Sequence, residues 1–488
     1  MSDYDVLIIG AGLSGIGMAC HLATDSPNVR VGLLERRNAI GGTWDLFRYP
    51  GIRSDADMFT FGYGFRAWNS LKTLADGPSI RQYIDDTARE YGVKDKIRFG
   101  VRTTKACWSN QTRLWTVHAV EEHSGQQRTY TCKFLISCTG YYSHDEGYLP
   151  EFPGKEQFKG TFVHPQHWPE GLAYQGKKVV IIGSGATAVT LVPALADAAA
   201  HVTMLQRSPS YVITVPGIDK LTGLMRHVLP ERWAYAFARH RNIWLQQAIY
   251  KASKRWPQRV QRFLLNGVRK QVGDGVDMRH FTPSYMPWDE RLCAVPDGDL
   301  FKVLREGKAS VVTDHIDTFT ATGIRLKSGQ HLEADIIIAA TGLKLQVFGG
   351  TDLYLDEQQV ATSDRMTYKG VLSEGMPNIG FIFGYTNAPW TLKSDLSSKY
   401  LCRLINHMRT HNLSVVVPQT VEGERMQVSV MGDSMQSGYV QRANAVLPRQ
   451  GRNLPWKVTN DIKIDRDLLL NQPIEDQVLV FQRSQAAV

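Results

Sequence analysis

The chain has 488 residues, of which 43% are apolar and 21% charged, and its net charge is +9. That length suggests about three domains, and the composition excludes disordered, collagen-like and coiled-coil classes for the bulk of the chain. No run approaches the roughly 18 consecutive apolar residues of a membrane span. The six cysteines form no CxxC pair, which argues against a disulfide scaffold, a zinc ribbon or a dithiol redox motif; no metal site is expected.

The first segment, MSDYDVLIIG, carries acids at Asp3 and Asp5 where a signal peptide would carry basic residues. A reducing, cytoplasmic setting is therefore expected. DVLIIGAGLSGIGMACHLA then reads as a buried strand, a GAGLSG turn and a helix. Gly10 permits the tight turn, Gly12 lets a pyrophosphate approach the backbone, and Gly15 lets helix and strand pack closely. Leu13 and Ser14 open the helix, whose free N–H groups and positive dipole end face the phosphates. A second strand ends VGLLERR, which places Glu35 where an acid hydrogen-bonds a ribose hydroxyl. The next segment, GGTWDLFRYPGIRSD, is an aromatic, glycine-rich loop of the kind that commonly builds a binding site.

FLISCTGYY, with Thr139 and Gly140, is an apolar run stopped by glycine, as expected where a chain leaves a sheet. KKVVIIGSGATAVTLVPALADA repeats the strand–turn–helix plan, with Gly183, Ser184, Gly185, Ala186 and Thr187 in the turn and Ala188 at the third small position. The strand after it ends HVTMLQRSP. Gln206 and Arg207 stand in place of the acid, with Ser208 beside them. A neutral residue followed by arginine suits a 2′-phosphate, so this site is expected to prefer NADPH to NADH.

Between Asp219 and Gln271 the chain carries twelve Lys plus Arg and two acids, whereas the remainder carries 44 basic and 45 acidic residues. The excess charge is a local island. Its sequence is helical in character, with few breakers except Pro257 and Gly267, and aromatics interleave with the charges. Two readings stay open. One is an interfacial amphipathic segment in peripheral contact with anionic lipid. The other is a helical insertion packed on the nucleotide domain with its basic face in water, the commoner role of aromatics at helical spacing. No recognition motif accompanies the charge, so nucleic acid is not expected as a partner.

ADIIIAATGLK, with Thr341 and Gly342, repeats the strand-end pattern, and MPNIGFIFGYTN reads as a last strand of the first sheet. The second nucleotide motif lies between the two strand-end turns, which predicts nesting. The expected fold is α/β, with two nested Rossmann-like dinucleotide-binding domains, for FAD and NADP, and a helical insertion. Residues 1–150 and 341–488 form the two parts of the FAD domain, the latter with the C-terminal region. Residues 151–216 and 280–340 form the NADP domain, and 217–279 the basic insert.

Two such sites imply electron flow from NADPH to a flavin. A disulfide reductase would need a close cysteine pair beside the flavin; Cys132 and Cys138 do not supply one. FKGTFVHPQHWP resembles the fingerprint of Baeyer–Villiger monooxygenases at Phe158, Gly160, His164, Trp168 and Pro169. GGTWDLFRYPGIRSD matches a second family signature at Gly41, Gly42, Trp44, Tyr49, Pro50, Gly51 and Asp55, and MPWDERL is a variant of a segment NPWDQRL. The chain is most similar to the ethionamide-activating subgroup.

The resemblance implies an FAD-containing, NADPH-dependent enzyme that converts apolar ketones to esters or lactones with O2, through a C4a-peroxyflavin. It also implies S-oxygenation of sulfides and thioamides. It makes Gly42, Thr43, Trp44 and Asp55 part of the flavin pocket, Arg291 the active-site arginine, and Asp55 the acid that orients it. It makes His164 a linker that couples nicotinamide binding to domain rotation. Glu290 departs from the lysine that many ketone-oxidising relatives carry before the arginine. N- or S-oxygenation without ester formation, and NADPH oxidation or reduction without oxygen insertion, remain alternatives. The sequence carries no signal for oligomeric state.

Overall fold

A computed structural model describes residues 2–290, 292–432 and 438–484. Two sheets organise the chain. Among the described residues the larger, of eleven strands, runs from edge to edge as Gln358–Val360, Asp352–Leu355, Val101–Ser109, Leu114–Glu121, Gln127–Ser137, Tyr4–Ile9, Val31–Leu34 and Ile97–Arg98. Ile379–Phe381 pairs in parallel with Gln127–Ser137. The smaller sheet is parallel throughout, in the order Ala309–Thr313, His201–Gln206, Lys178–Ile182, Ile336–Ala339 and Thr161–Val163.

Burial follows the side-chain pattern. Tyr4–Ile9, Lys178–Ile182 and Ile336–Ala339 are near-continuous apolar runs and are buried along almost their whole length, as strands covered on both faces must be. Val101–Ser109 and Leu114–Glu121 alternate, and so does their burial, because one face of that antiparallel meander meets solvent. The helix Leu13–Asp25 packs beside the long helix Trp390–Thr410 against the larger sheet.

The chain passes between the sheets twice. It leaves the larger sheet after Ser137 through the strand Tyr142–Gly147 and returns after Ala339 through Leu343–Leu345. These two crossing strands pair with each other antiparallel, Leu343 opposite Gly147 and Leu345 opposite Tyr142. The smaller sheet is thus nested inside the larger one.

The basic segment forms the helices Lys220–Val228, Glu231–Arg255 and Pro257–Val272. Pro257 opens the third helix, consistent with its lack of an N–H donor. Gly267 does not interrupt it: Leu264, Val268 and Val272 form a buried row at four-residue spacing, and that packing outweighs the roughly 1 kcal/mol a helical glycine costs. Among the described residues no helix is long and apolar enough to cross a membrane.

Candidate active site

One cleft, with a cavity of about 1090 Å³, lies at the carboxyl ends of the central strands of both sheets, the usual ligand position in open α/β folds. Single-ligand pockets run about 300–1,000 Å³, so this volume exceeds the need of one small molecule. Gly10, Gly12, Leu13, Ser14, Glu35, Gly42, Thr43, Trp44 and Asp55 line it from the first unit. Gly183, Ser184, Gly185, Ala186, Thr187, Arg207 and Ser208 line it from the second.

The first turn is built by close backbone approach. Gly10 has φ +99°, and a Cβ there would lie 2.7 Å from the Cys138 carbonyl oxygen. At Gly15 a Cβ would lie 1.9 Å from the Gly10 carbonyl oxygen. Glu35 is 3% exposed. Its carboxylate accepts from the N–H of Ala11 at 2.7 Å and of Arg37 at 2.8 Å, one on each oxygen. Burial pushes its pKa up while those two N–H groups pull it down. The acid is held rigid at the cleft wall with lone pairs to spare, as a ribose diol requires. Ser14 accepts a hydrogen bond from Trp390 Nε1 at 2.7 Å, and Trp390 stacks on Tyr141 with centroids 5.2 Å apart.

The aromatic loop reaches further than one pocket. Trp44 packs with the first unit, while Leu46, Phe47 and Tyr49 belong to the apolar core of the second. A Cβ at Gly51, where φ is +77°, would lie 2.7 Å from Ala194 Cβ and 3.0 Å from the Thr190 carbonyl oxygen. The loop therefore docks on the helix Ala186–Ala196, and Arg53 Nη1 pairs with Asp299 at 2.6 Å. Asp45 is buried at its base and accepts from Arg37 at 2.7 Å, Arg81 at 2.9 Å and Arg48 at 3.2 Å. These donors hold its carboxyl below the usual range against the opposing effect of burial. Asp55 stands at the cleft wall, where its charge helps raise the Tyr49 phenol.

The second turn repeats the first. Gly183 has φ +142°, with its missing Cβ 2.4 Å from the Ala340 carbonyl oxygen. Gly185 has an ordinary φ of −83°, and a Cβ there would meet no protein atom within 4 Å. The space before this turn is left open by the protein itself, so the turn fits a pyrophosphate. Gln206 is buried and donates to the His280 carbonyl at 2.7 Å and to Thr313 Oγ1 at 2.9 Å. Its amide is committed to the protein, whereas the neighbouring Arg207 is exposed at the cleft.

The 158–169 segment lies along the crossing strands. The His164 ring covers Gly147, where a Cβ would lie 2.0 Å from His164 Cε1. His164 Nδ1 accepts from the Gln166 N–H at 3.2 Å, so it carries no proton there, and burial lowers the ring's pKa. Gln166 Nε2 donates to the Ser143 carbonyl at 2.9 Å, and His167 Nε2 lies 2.9 Å from the Asp145 carbonyl. A Cβ at Gly160 would lie 2.3 Å from the Asp335 carbonyl oxygen and 2.5 Å from Phe158. Trp168 packs half-buried against the second unit's core. The segment thus grips the strand that joins the two units.

Arg291 lies outside the described residues. Trp288, Glu290 and Leu292 line the cleft. Glu290 is raised by burial, and the Arg207 charge opposes that rise. His144 also lines the cleft; burial together with Arg37 and Arg36 lowers it to about 4, so it is neutral near pH 7. Arg442 lies over the Tyr148 ring at 3.5 Å. Tyr141, His144, Trp390 and Arg442 carry no motif in the sequence that would single them out; Asp45 lies within a matched signature, which is the one signal that could have found it. Burial raises the Cys132 and Cys138 thiols, which suits packing and not redox exchange.

Comparison with known proteins is consistent with this geometry. The flavin-binding monooxygenase-like family profile matches residues 63–271, and an NAD(P)-binding Rossmann-like profile matches 8–87. MymA of Mycobacterium tuberculosis, named as an FAD-containing monooxygenase, is 57% identical over 98% of this chain and 97% of its own length. EthA of the same organism, an FAD-containing monooxygenase, is 48% identical over 99% of each chain. Among solved structures, OTEMO in complex with FAD and NADP aligns with TM-score 0.71 at 23% identity, covering 86% of this chain and 88% of that one. The open form of cyclohexanone monooxygenase aligns with TM-score 0.74 at 20% identity, covering 96% and 97%. At those identities the structural likeness concerns the fold. The full-length matches to MymA and EthA, on a fold with two dinucleotide turns at one cleft, place this chain in the family of FAD-containing, flavin-binding monooxygenases.

Proposed function

We propose that the protein is an NADPH-dependent Baeyer–Villiger monooxygenase acting on apolar ketones, with sulfides and thioamides oxidised at sulfur. The observation that carries this reading is the 158–169 segment, whose fingerprint residues include Trp168 and which grips the crossing strands between two nucleotide turns at one cleft. Bound FAD, reduced by NADPH, would supply the oxygen activation. Gly10, Gly12, Gly15 and Glu35 would hold its pyrophosphate and ribose. The loop 42–55 would wall it, with Asp55 orienting Arg291. Gly183, Gly185, Arg207 and Ser208 would hold NADPH. In this reading residues 1–150 and 341–488 bind FAD, and 151–216 with 280–340 bind NADP.

The chain's own tasks are to exclude water and to place positive charge where negative charge develops on oxygen. His164, covering Gly147 on one crossing strand, would transmit nicotinamide binding to the relative placement of the two units. Counting NADPH consumed, peroxide released, ester formed with a medium-chain aliphatic ketone and sulfoxide formed with a sulfide assayed in parallel tests the proposal. One ester per NADPH is expected. Peroxide equal to NADPH with neither ester nor sulfoxide overturns oxygen insertion, and sulfoxide without ester overturns the Baeyer–Villiger assignment.

Two substitutions probe the nicotinamide side. Arg207→Ala is expected to raise KM for NADPH roughly tenfold, because the variant cannot make a charge-assisted hydrogen bond to the 2′-phosphate. Its KM for NADH should stay nearly unchanged. Equal losses would mean that another residue reads the 2′-phosphate. Gly185→Ala is expected to leave FAD content and melting temperature unchanged, because the new methyl meets no protein atom. KM for NADPH should nevertheless rise on the order of tenfold, since the methyl enters the space the pyrophosphate needs. Unchanged KM would move the nucleotide elsewhere.

A further inference from the structure

Of the seventeen large apolar side chains that stand exposed among the described residues, twelve lie between 217 and 279. On the helix Glu231–Arg255, Trp233 (57% exposed), Phe237 and Trp244 (69% exposed) recur at spacings of four and seven and so share one face. Leu245, Ile249 and Trp256 form a second exposed row beside it. Leu224 and Val228 project from the preceding helix, and Phe263, 74% exposed, from the following one.

The opposite side of the helix Glu231–Arg255 faces the protein, where Ala234, Tyr235 and Ala238 are buried and polar side chains make the fixed bonds. Arg239 donates to the carbonyls of Phe59 at 3.0 Å, Thr60 at 3.1 Å and Gly62 at 2.7 Å. Asn242 and Gln246 donate to the two Asp57 carboxylate oxygens at 2.9 and 2.8 Å. The helix is therefore seated by Tyr235, two alanines and these polar groups, while Trp233, Phe237 and Trp244 turn outward where an ordinary surface helix carries polar residues.

Charge accompanies the apolar rows. Lys220, Arg232, Lys251, Arg255, Arg259 and Arg262 are exposed, and none forms an ion pair among the described residues. The insert's ion pairs are made instead by Arg226, Arg239, Arg241, Lys254 and Arg279. Arg232 and Arg255 lie over the rings of Trp233 and Trp256 at 5.7 and 5.1 Å. Aromatic side chains with unpaired cations at their rim match the boundary between acyl chains and anionic headgroups. The second row leads inward, because Ile249 is both exposed and part of the cleft wall, with Gln246 and Trp288 beside it.

We propose that the outward face of the 217–279 insert docks on an anionic lipid bilayer, with the cleft opening at the inner edge of the docked surface. An apolar molecule dissolved in the leaflet would then reach the cleft along Leu245 and Ile249 without crossing bulk water.

Cosedimentation of the FAD-loaded enzyme with vesicles tests this. With equal parts phosphatidylglycerol and phosphatidylcholine at low salt, most of the protein is expected to pellet. With phosphatidylcholine alone little should, and salt near 0.5 M should release a large share because it screens the cationic rim. Trp233→Ser/Trp244→Ser and Arg255→Glu/Arg259→Glu should each lower partitioning roughly tenfold, with turnover of a water-soluble substrate unchanged. No pelleting with anionic vesicles at low salt, equal pelleting with neutral ones, or undiminished binding by both double variants overturns the proposal. A vesicle-independent dimer that the tryptophan variant dissociates would also overturn it, by assigning the face to a second copy of the chain.

Discussion

Gly15→Ala is expected to yield a colourless or nearly colourless protein. The added methyl would lie 1.9 Å from the carbonyl oxygen of Gly10 and 2.9 Å from its carbonyl carbon. Neither atom is the movable end of a side chain. Gly10 is fixed by its N–H bond to the Leu34 carbonyl at 2.7 Å and by its approach to Cys138. The helix Leu13–Asp25 must therefore shift away from the strand Tyr4–Ile9, and overpacking of this kind costs about 1–3 kcal/mol or more. The shift also carries away the helix N-terminus, whose N–H groups would meet the flavin's pyrophosphate. Flavin affinity should fall by at least roughly tenfold, a loss of about 1.4 kcal/mol of binding or more, so flavin absorbance per purified protein and the melting temperature should both drop. Full flavin content in this variant would mean that the first turn does not hold the cofactor.

Arg291→Ala is expected to separate two halves of the chemistry. FAD content and the rate at which NADPH bleaches the flavin should be kept, while ester formation falls by about 10²–10³-fold, the effect of removing one donor aimed at developing charge on oxygen. Arg291 itself lies outside the described residues. Its guanidinium charge is permanent, the family resemblance gives it this role, and the flanking Glu290 and Leu292 line the cleft. The half-buried Glu290 makes the same region less positive than a lysine would, so Glu290→Lys should favour ketone over sulfide turnover. Full ester formation by Arg291→Ala would remove the arginine from the site.

What could be read from the sequence was what short-range geometry dictates. A glycine turn between an apolar strand and a helix admits few conformations, so both nucleotide units, their order and their nesting were legible from GAGLSG, GSGATA and the two strand-end turns. The same logic singled out Glu35 and Arg207 at the ends of second strands, and both line the cleft. The tertiary structure decided what depends on contacts between distant segments. Only it shows that Leu46, Phe47 and Tyr49 belong to the second unit's core, that His164 covers Gly147, and that Trp390 is tied to Ser14 some 376 positions away. It also decided the orientation of the basic helices. Aromatics at helical spacing define a face, but not whether that face meets the protein or its surroundings. Arg239, Asn242 and Gln246 supply that information, by seating the opposite face on Asp57 and the carbonyls of residues 59–62.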